Sequence, residues 1–259
     1  LIDPARDAAN IMPRRVMRVR DLLPTIQVNS GSVEYASQTT RTNNAAIQTA
    51  EGAAKAESAL AFDLLTCAIR VIAHWLPASR QVLDDAPQLQ GIIDSELRYG
   101  LAFAEENQLL FGSGTGVDLE GLTVGATAFS PAFTLTAPTK LDVLGLAALQ
   151  TGIAEFVPDG IIMHPSDWMS IKLQKDTAGA YILGDPGASI EQRLWGLPVI
   201  TTTAMTADKF LVGQFSAAAT LYDRMSPEVQ LSTEHSDFFT KNLVAIRAEE
   251  RIGLAIKQA

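Results

Sequence analysis

At 259 residues, 47% of them hydrophobic and only 19% charged, the chain is long enough for one large domain or two medium ones and needs no covalent staple. Its formal charge of −9 sets it apart from nucleic-acid readers, which carry a basic patch. The single cysteine, Cys67, excludes an intrachain disulfide and reads as a small core hydrophobe. No uncharged apolar run of about 18 residues exists to cross a membrane, and the opening LIDPARDAAN has no apolar signal core. So little charge on a chain of this length fits either a large core or extensive apolar contact between subunits.

In chain order, Leu1–Ser30 mixes Pro4, Pro13 and Pro24 with little helical period and reads as an extended arm. Its basic cluster, Arg14, Arg15, Arg18 and Arg20, suits a solvated or interface-paired arm better than a phosphate site. An arm without its own core must lie on something else, and a neighbouring subunit is the expected support.

Residues 31–78 read as a long hairpin. Val33 and Tyr35 alternate on the outgoing strand. TTRTNNAAIQTAEGAAKAESA, Thr39–Ala59, has too few large apolar groups to fold on itself. On the return strand, Leu65, Cys67, Ile69, Val71, Ala73 and Trp75 alternate with Thr66, Ala68, Arg70, Ile72 and His74, which predicts one buried face carried by the first set. The pattern breaks at Pro77 and Ser79, where Ser79 fits a helix N-cap.

Pro87–Phe111 is the strongest helix. Leu89, Ile93, Leu97, Leu101 and Ala104 make one apolar face, with Arg98, Glu105, Glu106 and Asn107 largely off it. Gly112, Gly114 and Gly116 end it. From Val117 an α/β part begins. Thr139 and Asp142 resemble a capping box before an amphipathic helix with Leu146, Leu149, Ile153 and Phe156. A short strand at Ile161–Met163, a helix from Pro165 and strands at Leu197–Thr201 and Phe210–Val212 follow. Phe238–Ile256 is expected to return to the sheet beside the long helix.

None of the usual chemical motifs holds. Gly112–Gly116 follows a helix, whereas a dinucleotide fingerprint follows a strand. His74, His164 and His235 are too dispersed for a zinc site. Ser79 has no G-x-S-x-G elbow around it. Asp84–Asp85, Glu105–Glu106 and Glu249–Glu250 are adjacent pairs, and neighbours on a helix or strand point apart, so solvated faces or inter-subunit ion pairs are expected.

The ordered blocks IMPRRVMRVRDLL, IAHWLPASRQVLDDAP, IIMHPSDWMSIKLQKDTAGAYILGDP, LWGLPVI, FLVGQFSAAATLYDRM and FFTKNLVAIRAEERIGLA resemble the major capsid proteins of tailed bacteriophages of the Hong Kong 97 type. The resemblance implies an α+β fold with an N-terminal arm (1–30), an extended β-hairpin loop (31–78), a peripheral domain with a spine helix (79–116), an axial α/β domain (117–224) and peripheral return strands (225–259). It implies a structural protein and no enzyme, assembling with itself into pentamers and hexamers of an icosahedral shell around double-stranded DNA. Portal, maturation protease and decoration proteins would be its other partners, with no cofactor, metal or membrane. It would belong to the virion capsid and assemble in the host cytoplasm. The start at Leu1 fits a processed chain or a fragment, since relatives often lose a scaffold segment. An encapsulin-like nanocompartment shell is the alternative of the same fold; a soluble hydrolase or transferase has no motif behind it.

In the family's type member a lysine of the extended loop attacks an asparagine of a neighbouring subunit with help from a glutamate. The matching positions here are Lys55, Asn242 and Glu249. The resemblance therefore implies an isopeptide crosslink in which Lys55 is nucleophile, Asn242 acceptor and Glu249 the assisting base. Such a lysine needs desolvation to shed its proton, and fixed geometry supplies the effective concentration.

Overall fold

The computed structural model describes residues 12–81, 87–184 and 191–258; Leu1–Ile11 and the pair Asp84–Asp85 lie outside the described residues. Strands β1 (Thr25–Gln27), β9 (Ala219–Ser232), β10 (Leu243–Ile256) and β4 (Arg70–Ser79) form one sheet in the order β1-β9-β10-β4. β2 (Ser32–Thr42) and β3 (Ala59–Ala68) pair as a two-stranded hairpin.

The return strand is not continuous. β3 pairs with β2 up to Ala68, and β4 pairs with β10 from Arg70. Ile69 between them donates its N–H to the Gly31 carbonyl. The alternation runs through the break unchanged: an added Cβ at Gly253 would meet Ile69 and Cys67, and Arg251, on the same face of β10, pairs with Val71. Cys67 and Ile69 are covered on that face by Val28, Val33, Tyr35 and Tyr222, whereas farther along Ile72, Leu76 and Ala78 of the opposite face are the ones that pack. The expectation of one buried odd-numbered face fails beyond Ile69 for this reason: Val71 and Trp75 are 56% and 51% exposed.

Helix α1 (Pro87–Phe111) has 25 residues, about 37 Å of helix, and lies across this sheet. Ile93, Leu97 and Leu101 meet Val244, Ile246 and Ala248 of β10. Further along, Leu109 and Leu110 meet Ile252 and Leu254. The two layers come close at Gly100, where an added Cβ would lie 2.4 Å from His74 Cε1. That proximity lets the His74 ring reach the Leu97 carbonyl at 2.8 Å.

The described part of the arm lies on its own chain. Val19 and Leu23 are buried against Leu109, Leu110 and Leu221, and β1 runs parallel to β9. Its arginines explain the placement. Arg14 pairs with Glu96, Arg15 with Glu106, and Arg20 with both Glu105 and Asp223. Glu105 and Glu106 are accordingly 5% and 3% exposed, which corrects the reading of this pair as a solvated or inter-subunit face.

After α1, Gly114 and Gly116 take positive φ in a turn. The α/β part follows: α2 (Leu122–Gly125), α3 (Lys140–Ile153), β5 (Gly160–Met163), α4 (Pro165–Lys172), β6 (Arg193–Leu194), β7 (Leu197–Thr201), β8 (Phe210–Gly213) and α5 (Phe215–Ala218). Its sheet order is β6-β7-β5-β8. Thr139 and Asp142 form the expected capping box. α3 buries Leu144, Leu146 and Ala147, while Leu149 and Ile153 are 41% and 63% exposed. The sheet covers only one side of this helix, so the second apolar row faces outward.

Candidate functional site

β10 organises the surface in question. The turn before it is fastened by Leu243 N–H to the Phe238 carbonyl at 2.9 Å and by the Lys241–Asp237 ion pair. Asn242 ends that turn with φ 52, a left-handed conformation that asparagine adopts more readily than most residues. Its carbonyl accepts the Arg80 N–H at 2.9 Å, and the residue is exposed. His235 stacks near Trp75 at 5.1 Å and meets Phe238 edge-on at 5.0 Å, while Phe239 is 82% exposed. An aromatic patch therefore stands at this end of the sheet.

Glu249 sits in the middle of β10, opposite Glu228 of β9 and Ala73 of β4. Arg251 donates to one carboxylate oxygen at 2.9 and 2.6 Å, and Arg247 stands 3.5 Å from the other. These groups, with Met225, Glu228 and Gln230, line a cleft of about 70 Å³. The strand from Leu243 to Glu249 spans about 20 Å, so Asn242 and Glu249 of one chain do not form one site.

Lys55 is exposed in the connection between β2 and β3. That connection is held by Asn44, whose N–H donates to Ser58 Oγ at 3.1 Å and whose Nδ2 donates to the Glu57 carbonyl at 2.8 Å. The ten residues of β3 put the tip about 30 Å from the main sheet. Among the described residues, no hydrogen bond or ion pair joins Lys55 to Asn242 or Glu249. The chain displays the three groups separately.

The inner face of β10 carries what sequence reading missed. Val244, Ile246, Ala248, Glu250, Ile252 and Leu254 alternate inward, and Glu250 is 0% exposed. Among the described residues, neither of its carboxyl oxygens has a hydrogen-bond partner. Burial, and then the nearby Glu105 charge, push its carboxyl up to about 8. Glu105 is also raised, chiefly by burial and against the opposing pull of Arg20. The strict alternation of the strand was a sequence signal for an inward Glu250.

An apolar cavity of about 770 Å³ lies beside α3 and β8, lined by Phe111, Phe129, Phe156, Met205, Phe210 and Ile256 among others. Gln150 ties its outer loop down, accepting from Ser130 N–H at 2.8 Å and donating to the Ala128 carbonyl at 3.1 Å. The histidines have local roles: His164 caps α4 by accepting the Ser166 N–H.

A profile of the phage capsid family matches residues 7–259. The chain is 44% identical over 256 residues to the major capsid protein of Enterobacteria phage HK97, covering 98% of this chain and 66% of that protein. It thus spans just under two thirds of that relative's length. A solved structure from Microbacterium phage Oxtober96 superposes with a TM-score of 0.81 at 16% identity, over 99% of this chain and 90% of that one. The capsid of a native GTA particle, computed with C5 symmetry, gives 0.77 at 19% identity over 100% and 92%. A structure from Mycobacterium phage Bobi gives 0.76 at 14% identity over 99% and 89%. At such identities the structural likeness speaks for the fold, which is of the Hong Kong 97 type.

Proposed function

Because this chain belongs to the phage capsid family, we propose that it is a shell subunit whose copies form the pentamers and hexamers of an icosahedral virion capsid, assembled in the host cytoplasm. Its work is structural. Residues 117–224 would gather around the local axes, with residues 31–78 reaching over neighbours. The shell would enclose double-stranded DNA without sequence recognition, which agrees with a net charge of −9. Portal, maturation protease and decoration proteins would complete the particle.

The observation that carries this reading is the β2–β3 hairpin. Leu60, Phe62 and Leu64 on alternate positions of β3 are 63%, 60% and 68% exposed, and Ile47 near the tip is 95% exposed. A hairpin this long, with an uncovered apolar row, is a liability on an isolated subunit and an asset in an obligate assembly, whose interfaces bury well over ~2,000 Å². Sedimentation of native material, with and without nuclease, tests it. A fast, nuclease-protected, DNA-containing species is expected; a monodisperse monomer would contradict the reading.

The crosslink is part of the same proposal. Lys55 Nζ would attack the Asn242 side-chain carbon, forming the amide and releasing ammonia, with a Glu249 carboxylate taking the proton from the amine. The separation of about 20 Å along β10 means that Asn242 and Glu249 must come from different subunits, as must Lys55. The apolar surround that Lys55 lacks in one chain would be supplied by the neighbour's aromatic patch. Lys55→Ala should abolish ladders of covalent oligomers on a boiled denaturing gel of mature particles; an unchanged ladder would sink the crosslink while leaving the shell reading intact.

A further inference from the structure

Glu250 occupies an inward position in an otherwise apolar row of β10. It is fully buried, and both its oxygens lack hydrogen-bond partners among the described residues. The cation whose charge acts on it is already committed: Arg20 donates to Glu105 at 2.6 Å and to Asp223 at 2.7 Å. The charged groups around it come from several elements. The arm supplies Arg20, α1 supplies Glu105 and β9 supplies Asp223; next to Glu105 on α1 stands Glu106. Glu106 is itself held by Arg15 and by the Thr202 hydroxyl. β4 puts Ile72 opposite Glu250, and His74, one inward position further along β4, is bonded to Leu97. Glu249 and Arg251 pair with each other on the outer face.

We propose that Glu250 is a proton-held latch on the junction of arm, spine helix and sheet: its neutral form keeps the junction closed, and its ionisation favours opening. A neutral carboxyl tolerates this apolar row. An ionised one is shut off from solvent and competes with Glu105 and Asp223 for the Arg20 guanidinium, so it gains by drawing Arg20 away from its partners or by admitting water. Either relief is available here. Arg20 ties the arm to both α1 and β9, and the β9–β10 register shifts between Glu249 and Arg251, a bulge where the ladder is already interrupted.

The sign follows from linkage. A carboxyl whose proton is held up to about 8 in the closed form, against 4.5 when open, gives full protection below 4.5, losing it as pH rises through 8. Each pH unit in that window should raise opening by roughly tenfold, and opening should level off above it.

The test is native-state amide exchange on the full chain from pH 5 to about 9, corrected for the intrinsic pH dependence of exchange. The reporters are the Leu22 and Leu23 amides, bonded within the arm, and the Val28 and Leu221 amides, which tie β1 to β9. Comparison with Glu250→Gln, which keeps shape without the charge, separates Glu250 from Glu105. The expected result is a ratio of wild-type to variant opening that climbs by a hundredfold or more across the window. Parallel curves for the two proteins would overturn the proposal. If the variant does not fold, the wild type still decides: the infrared band of a buried protonated carboxyl should fade in the same pH range as opening rises, and absence of that band at pH 6 would overturn it.

Discussion

Arg20→Met isolates the electrostatic tie of the arm. The side chain of Arg20 is 32% exposed, while Glu105 and Asp223 are 7% and 3% exposed. Removing one partner of a buried ion pair typically costs about 3–5 kcal/mol, because a charge is left without compensation. Methionine keeps an unbranched stem without the charge, so the loss should be mostly electrostatic. Partial exposure of Arg20 allows water to replace some of the guanidinium, which places the expectation at the lower end, about 3 kcal/mol. The assay is the same exchange measurement at pH 7, read at the Leu22, Leu23 and Leu221 amides, with the Ile161 and Ile162 amides of β5 as an internal control. The arm should lose roughly a hundredfold in protection and β5 should lose none. Adding Glu105→Gln and Asp223→Asn to Arg20→Met should restore much of it, since no uncompensated charge remains. A loss below about 1 kcal/mol, or a triple variant worse than the single, would refute the view that these carboxylates depend on Arg20.

Gly100→Ala should cost about 1–3 kcal/mol through overpacking against His74, with a lowered urea midpoint; His74→Ala in the same chain should recover part of that loss. Burial holds the Cys67 thiol up to about 11, so its reaction with a thiolate-selective reagent at pH 8 should be far slower in the native protein than in urea. Comparable rates would contradict its placement under β2 and β10. Deleting residues 43–56 should disturb assembled particles and leave the circular dichroism of the subunit close to wild type, because those residues bury little of their own chain; loss of the subunit fold would count against this.

Local signals were legible in the sequence. Pro87–Phe111, the Thr139–Asp142 box and the strands at Ile161–Met163 and Leu197–Thr201 depend on neighbours a few residues away, and all stand in the structure. What periodicity missed depends on partners far along the chain. The change of buried face beyond Ile69 is set by what covers each stretch, the hairpin and Tyr222 before it and the long helix after it. Glu105 and Glu106 lie inside because arginines more than 80 positions earlier reach them, and no pattern within the helix announces that. The arm was read as needing a neighbour's support for the same reason. The three crosslink candidates came from resemblance, not from geometry, and one chain holds them apart by design of its strands: Asn242 and Glu249 are fixed on β10, and Lys55 is carried outward on the hairpin. Their meeting is a matter of the assembly.

Electron microscopy of native material, prepared without crosslinking reagent, tests the central claim most directly. The account predicts closed, faceted shells with five-fold vertices. A field of small single particles, under conditions where the chain is folded by circular dichroism, would contradict it.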